Sequence, residues 1–197
     1  MTEKFAQRVF DWVDADEPVA PVLFLSSEKI GWEGLVARAY HEPEEFEGFL
    51  APDNDAPHIP LVLLTGGAMY MEQRPINGSW RGKLIRSEDL MLLPGGSIGS
   101  ELRWKGTGSE AMQTLHIHLN KDLLAHVAEE MADCDPAHLG IRARAGFQDP
   151  LLTQIGFALW RELEQPNPAG KLYAETAAQM LAVHLLRHYT STPVDIR

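Results

Sequence analysis

Three shortages limit the functions that this 197-residue chain can have. Cys134 is its only cysteine, which excludes an internal disulfide and a multi-cysteine zinc site and fits a reducing cytoplasm. Basic residues are scarce: 17 Lys and Arg against 28 Asp and Glu give a formal net charge of −11. These residues therefore do not predict a surface that grips a nucleic-acid backbone.

Long apolar segments are also absent. No apolar run approaches the roughly 20 residues that a membrane-spanning helix needs. Charged residues interrupt residues 1–13, so that segment does not predict a signal peptide. We expect a cytoplasmic protein that makes no contact with a membrane.

What the sequence does contain, up to about residue 119, is a series of short apolar or alternating runs. Turn residues such as Gly, Pro and Asn separate them, which is typical of antiparallel β-structure. Asn77-Gly78 predicts a tight hairpin. Residues 42–60 carry four prolines and several acids and predict a long loop or covering flap. The expected strands lie at 22–25, 35–41, 61–65, 69–74, 80–85, 90–93, 100–104 and 112–119.

The periodicity becomes helical after Asn120, which is a suitable N-cap. Asp149-Pro150 predicts a second helix start, because proline is favoured at the first helical position. Helices over 151–164 and 171–189, with a short connection, predict an antiparallel pair. Apolar residues in 3–13 also predict a short amphipathic helix, which would form an N-terminal arm over 1–20.

The segment "LHIHL" holds the most distinctive polar residues. In a strand, His116 and His118 share one face, and Leu115, Ile117 and Leu119 share the other. Two histidines at this spacing could bind a metal ion, but no acidic third ligand follows in the strand, so no metal is predicted. The histidine face would otherwise line a polar pocket or meet solvent, and the pattern does not settle which face points inward.

Residues suited to acid–base chemistry cluster on and beside the 42–60 loop. His41, Glu42, Glu44, Glu45 and His58 could transfer protons near a pocket, although a solvated acidic loop explains them as well. Aromatic residues in or beside the strands could line a pocket or pack in the core. We predict no catalytic residue.

The order of parts resembles a known family. The section "LVLLTGGAMYMEQRPINGSWRGKLIRSEDLMLLPGGS" resembles a cupin-like barrel, and "LHIHLNKDLLAHVAEEM" and "DPLLTQIGFALWRELEQPNPAGKLYAETAAQMLAVHLLRHY" follow it. Together they resemble the N-terminal sensing and dimerisation domain of AraC-type transcription regulators. The resemblance implies an α+β fold: a cupin-like antiparallel β-barrel or jelly roll over 21–119, a helical dimerisation region over 120–192 and the start of a linker at 193–197.

In that family the barrel binds a small effector and the helix pair forms a homodimer. DNA is bound by a C-terminal helix-turn-helix region, and here that region would lie beyond Arg197. Metal-using cupins carry Gly-Asp before the apolar strand and a histidine after the Pro-Gly-Gly corner. This chain has Glu88-Asp89 and Gly99 instead, which argues against metal catalysis.

Two functions therefore follow from the sequence. The favoured one is an effector-sensing, dimerising regulator domain with no cofactor and no enzymatic activity. The alternative is a small cupin enzyme, metal-dependent or metal-free, such as an isomerase or dioxygenase. The predicted ligand-binding residues are Arg38, His58, Tyr70, Trp104, His116 and His118. The predicted dimerisation residues are Leu151, Ile155, Leu159, Leu172, Met180, Leu181 and Leu185.

Overall fold

The described part of the chain contains ten strands and three helices, and most of the strands precede the helices. A computed structural model describes residues 20–50, 56–94, 99–131 and 140–190. The strands are β1 Val22–Ser26, β2 Leu35–His41, β3 Glu45–Leu50, β4 His58–Gly66, β5 Ala68–Pro75, β6 Arg81–Arg86, β7 Leu90–Leu92, β8 Ser100–Gly106, β9 Gln113–Asn120 and β10 Arg144–Phe147. The helices are α1 Lys121–Met131, α2 Pro150–Glu164 and α3 Gly170–His188.

The strands form two antiparallel sheets. The larger, sheet A, has the order β1-β2-β9-β4-β7-β10, and the smaller, sheet B, has the order β3-β8-β5-β6. Strand β9 lies between β2 and β4, with His116 paired to Arg38 on one side and to Val62 on the other. The predicted α+β class, an antiparallel β-structure followed by a helix pair, is confirmed.

One face of sheet A packs against the helices. Alternate residues of β2, β4 and β9 supply this face, because successive strand side chains point to opposite sides. Residues from all three helices complete the core, among them Leu124, Leu159 and Leu181. The strand residues are Leu35, Ala37, Ala39, Ile59, Leu61, Leu63, Leu115, Ile117 and Leu119.

A second, smaller apolar cluster lies between the two sheets. Val62, Leu64 and Met112 reach it from sheet A, and Met69, Met71, Ile85 and Leu102 reach it from sheet B. We call the space between the sheets the interior. Because the interior takes the residues that alternate with the helix-facing set, the histidine face of β9 belongs to it.

Helices α2 and α3 are joined at Asp149. This residue caps α2 with a side-chain oxygen that accepts from the Leu151 and Leu152 amides. Its other oxygen lies 2.7 Å from His184 Nε2 and accepts from the Tyr189 hydroxyl, also at 2.7 Å. The start of α2 thus meets the end of α3, so the predicted antiparallel pair is confirmed.

Some sequence expectations differ from the structure. The 42–60 region is not one loop: it contains β3, and β4 already begins at His58. Strand β10 was not predicted, because four residues give too short a pattern to recognise. The predicted arm over residues 1–19, and the linker at 193–197, lie outside the described residues. None of the three helices in the described ranges has the length and apolarity of a membrane-spanning segment.

Candidate functional site

A group of polar side chains lines the interior face of sheet A. Along β2, Arg38, Tyr40 and then Glu42 alternate with the helix-facing alanines. Across the β9 ladder, His116 is the partner of Arg38 and Thr114 the partner of Tyr40. On the neighbouring strand β4 this inner face is apolar at Val62 and Leu64, and Met112, whose carbonyl accepts from the Glu42 amide, continues the apolar surface. The polar residues are therefore concentrated in one part of the interior.

Arg38 is the charged residue at the centre of this group. Its side chain is only 9% exposed, and Nη2 lies 2.5 Å from Glu28 Oε1 at the edge of the protein. Its Nε is buried and has no hydrogen-bond partner among the described residues. A buried N–H donor normally has an acceptor, so Arg38 Nε is a position at which a ligand could supply one.

Glu42 is the second buried charged group. Its side chain is 4% exposed, and Oε1 accepts a hydrogen bond of 2.6 Å from the Thr114 hydroxyl. His116 Nε2 lies 3.6 Å from the same oxygen. Like Arg38 Nε, Oε2 is buried and finds no partner in the part of the chain that the structure describes. The site thus combines an unused donor with an unused acceptor.

Three histidines lie in the same part of the interior as Arg38. The ring of His118 lies with its centroid 6.3 Å from those of His58 and His116. Burial, followed by His116 and Arg38, lowers the pKa of His118 well below its usual value. Burial and Arg38 also lower the pKa of His58. Both imidazoles are therefore held neutral near pH 7, and neutral imidazoles offer one donor and one acceptor each.

Tyr40 forms one wall of the site. Its ring packs on that of His116 with centroids 4.8 Å apart. Burial raises the pKa of the Tyr40 hydroxyl, an effect that Arg38 partly opposes. The hydroxyl therefore stays protonated at physiological pH.

His116 and His118 are the residues at which the sequence raised the question of a metal site. Among the described residues, no three His, Cys, Asp or Glu side chains lie close enough together to share one. His116 and His118 do point to the same side, as expected, but their ring centroids are 6.3 Å apart. Zinc would need ligand atoms at about 2 Å from one point.

Of the six predicted ligand-binding residues, four come together in this site: Arg38, His58, His116 and His118. Trp104 also points into the interior, but from sheet B, where it stacks on Phe46 and donates from Nε1 to the Pro43 carbonyl at 3.1 Å. Tyr70 was wrongly placed. It alternates with the interior residues Met69 and Met71, so it lies on the outer face of sheet B and is 46% exposed.

Gly99, which stands where the sequence lacks a histidine, has little space for a side chain. A Cβ atom at this position would lie 2.3 Å from Cζ of Phe49, well inside van der Waals contact. Any side chain at 99 therefore requires the Phe49 ring to move. The Phe49 ring thus occupies the space that a side chain at position 99 would take.

A second candidate surface is an apolar groove between α2 and α3, with a volume of about 590 Å³. It includes three of the predicted dimerisation residues as exposed side chains: Leu172 at 68%, Met180 at 44% and Leu151 at 38%. Tyr173 and Ala158 also line it, and Ile155 forms its buried floor.

The remaining predicted dimerisation residues lie elsewhere. Leu159, Leu181 and Leu185 are buried in the core between the helices and sheet A. The helical periodicity gave both an inward and an outward apolar stripe, and the prediction took residues from both. These three belong to the protomer's own core and not to a face open to a partner.

The predicted list omitted two important residues of the site, Tyr40 and Glu42. Glu42 was considered a loop acid, although its spacing held a signal: Arg38, Tyr40 and Glu42 stand at i, i+2 and i+4, the period of one strand face. Extending the predicted strand by a single residue would have placed Glu42 on the same face as Arg38 and Tyr40.

Solved structures of other proteins match the fold of this chain. An apo form of ToxT from Vibrio cholerae strain SCE256 matches with a TM-score of 0.57 at 9% identity, covering 83% of this chain and 59% of that chain. This chain therefore spans less than two thirds of ToxT. At such low identity the match shows a shared fold alone.

Cupin domains match more distantly. The cupin domain of Schizosaccharomyces pombe Cnp3 has a TM-score of 0.36 at 13% identity, covering 52% of this chain and 61% of that chain. A cupin-2 protein from Shewanella frigidimarina has a TM-score of 0.34 at 9% identity, with coverages of 54% and 85%. No protein-family profile and no curated protein matches the chain by sequence.

Proposed function

We propose that this chain is the effector-sensing and homodimerisation part of a transcription regulator of the AraC type. A small molecule binds in the interior beside Arg38 and Glu42, and a second copy of the chain packs on the α2–α3 groove. DNA is read by a helix-turn-helix region of the regulator outside these 197 residues. The protein is not an enzyme in this proposal.

The observation that carries the proposal is the separation of two surfaces, one polar and one apolar. The interior holds a buried donor and a buried acceptor without partners, which favours a polar small molecule. The groove holds exposed leucine, methionine and tyrosine, which favours a protein partner. Sheet A and the helices connect them, because β9 borders the interior on one face and the helix core on the other.

The resemblance in fold supports the same assignment. ToxT is a regulator of the AraC family, and the aligned region covers most of this chain. A small effector biases such a regulator only if it binds one arrangement of interior and helices better than the other.

The dimer is tested by a charge in the groove. We expect Leu172→Asp to convert a wild-type dimer into a monomer, because an apolar contact would have to bury a carboxylate. Sedimentation velocity at micromolar protein measures this directly. Ile76→Asp is the matched control, since Ile76 is also exposed, at 51%, but lies in the turn between β5 and β6. A monomeric wild type would refute the dimer.

A second candidate, a metal-free cupin enzyme such as an isomerase, rests on Glu42 and His116. A buried carboxylate 3.6 Å from an imidazole could move a proton on a bound substrate. This candidate predicts turnover that disappears in Glu42→Gln. The regulator proposal predicts binding without turnover.

A further inference from the structure

The charges around the two unpartnered atoms point to the class of molecule that binds in the interior. Arg38 Nε is an N–H donor, so it requires an acceptor. Glu42 Oε2 requires a donor, because Oε1 already accepts from Thr114. A ligand that satisfies both atoms must therefore carry a donor group and an acceptor group.

The two positions differ in charge. Arg38 is already paired with Glu28 at 2.5 Å. Glu42 forms no ion pair with a lysine or arginine in the described ranges, and its nearest basic neighbour there is His116 at 3.6 Å. With histidines counted as neutral, the formal charges of Arg38, Glu28 and Glu42 sum to −1. A hydroxyl would satisfy only the hydrogen bond of Glu42, whereas an ammonium group would satisfy the hydrogen bond and neutralise the carboxylate.

The surroundings agree with a cation. Tyr40 lies between Arg38 and Glu42 on the same strand face, and an aromatic ring attracts a nearby ammonium through its negative face. The net charge of −11 also favours the approach of a cationic ligand over an anionic one.

We propose that the interior binds a small primary amine that also carries a hydroxyl or carbonyl group. The ammonium donates to Glu42 Oε2, and the hydroxyl or carbonyl oxygen accepts from Arg38 Nε. This inference rests on the proposed role of the interior as an effector site, and it adds the chemical class of the effector.

Matched pairs of probes test the ammonium. Ethanolamine and ethylene glycol differ only in that an amine replaces a hydroxyl. D-glucosamine and D-glucose differ in the same way and are larger molecules. Calorimetric titration of the wild-type chain at pH 7.5 should show at least one amine binding tenfold or more tightly than its alcohol. Equal affinity within both pairs, or no binding by any of the four probes, overturns the proposal.

Glu42→Gln tests the named atom. It keeps an oxygen for Thr114 but removes the charge, so the preference for the amine should fall at least tenfold. Glu47→Gln makes the same change on an exposed side chain of β3 and should leave the preference intact. An unchanged preference in Glu42→Gln overturns the proposal, and the wild-type probe pairs remain decisive if that variant does not fold.

Failure of this inference is distinguishable from failure of the proposed function. If both members of a pair bind equally and Arg38→Met abolishes both, the interior is still a ligand site and only the amine class is wrong. If no probe binds while Leu172→Asp still breaks a dimer, the amine is again overturned and the dimerisation role stands. A monomeric wild type removes the dimerisation role whatever the probes show.

Discussion

The two faces of β9 differ more than any other neighbouring parts of the molecule. On one face Leu115, Ile117 and Leu119 pack against the helices in a continuous apolar core. On the other, Thr114 and the histidines face a polar interior with unpartnered donor and acceptor atoms. The apolar face of β9 therefore contributes to stability, and the polar face belongs to the proposed ligand site. Mutations at adjacent positions should have separable effects.

The largest effect is expected from the apolar face. Ile117→Ala removes a fully buried side chain and leaves a cavity between β9 and the helices, at a cost of about 2–5 kcal/mol in unfolding free energy. Urea unfolding measures the loss. Glu47→Gln, on an exposed position, should change stability by less than about 0.5 kcal/mol. A small loss in Ile117→Ala would contradict the division between the two faces.

A smaller loss is expected where α2 approaches this face most closely. Gly156→Ala improves helix propensity, but the new Cβ would lie 2.7 Å from Cδ2 of the fully buried Leu63. Overpacking should exceed the propensity gain and destabilise the protein by about 1–3 kcal/mol. Thermal unfolding checks the sign, and Gln179→Ala on the exposed part of α3, outside the groove, is a control without such a contact. A more stable Gly156→Ala would show that Leu63 can move aside.

The next effect concerns the junction of the helices that cover the apolar face. Asp149→Ala removes the α2 cap and the bonds to His184 and Tyr189, which should cost about 0.5–2 kcal/mol. Asp149→Asn keeps an oxygen for the cap and should lose less. Guanidinium unfolding ranks the free energies of unfolding of wild type and the two variants. Equal stability of all three would contradict a stabilising role of the Asp149 carboxylate.

The same carboxylate predicts a pH dependence. Burial alone would raise the pKa of Asp149, but the hydrogen bonds from His184, Tyr189 and Leu152 lower it below its usual value. A lowered pKa means that its contribution is present above the unfolded pKa and is lost as the pH falls through the folded pKa. The difference in stability between wild type and Asp149→Ala should therefore shrink in acid, below about pH 4.

The smallest effect comes from the polar face. Because the pKa of His118 is lowered in the folded state, the unfolded chain takes up a proton first as the pH falls below about 6.5. The wild type should thus lose about 1 kcal/mol between pH 7.5 and pH 5.5 from this residue. Melting temperatures of wild type and His118→Gln across this range measure it. Identical pH profiles would show that His118 is not held neutral.

The pattern of the sequence predicted the two faces of β9 but not which side each one met. Strict alternation in "LHIHL" separates the histidines from the aliphatic residues, since the strand period is two. Which face turns inward depends on where the helices pack, and that is a tertiary contact. The structure resolves it because all three helices contribute to the core on the aliphatic side.

The residues that the sequence placed wrongly failed for similar reasons. Tyr70 is an aromatic residue in a strand, and only the pairing of β5 with β8 shows that it points outward. Glu42 begins the proline-rich and acidic 42–60 segment. The local composition therefore favoured a solvent-exposed side chain. Its burial depends on Thr114, which is 72 residues away in sequence.

Asp149 also bears on how a partner subunit would bind. Its carboxylate joins α2 and α3 at one end of the groove, and at the other end Asn167 bonds to Glu162 and to the Ala169 amide within the connecting turn. The two helices are therefore fixed to each other at both ends before any partner arrives. A second copy would meet a preorganised surface, so association would spend little conformational entropy on ordering the backbone, and the affinity would depend mainly on the apolar side chains along the groove.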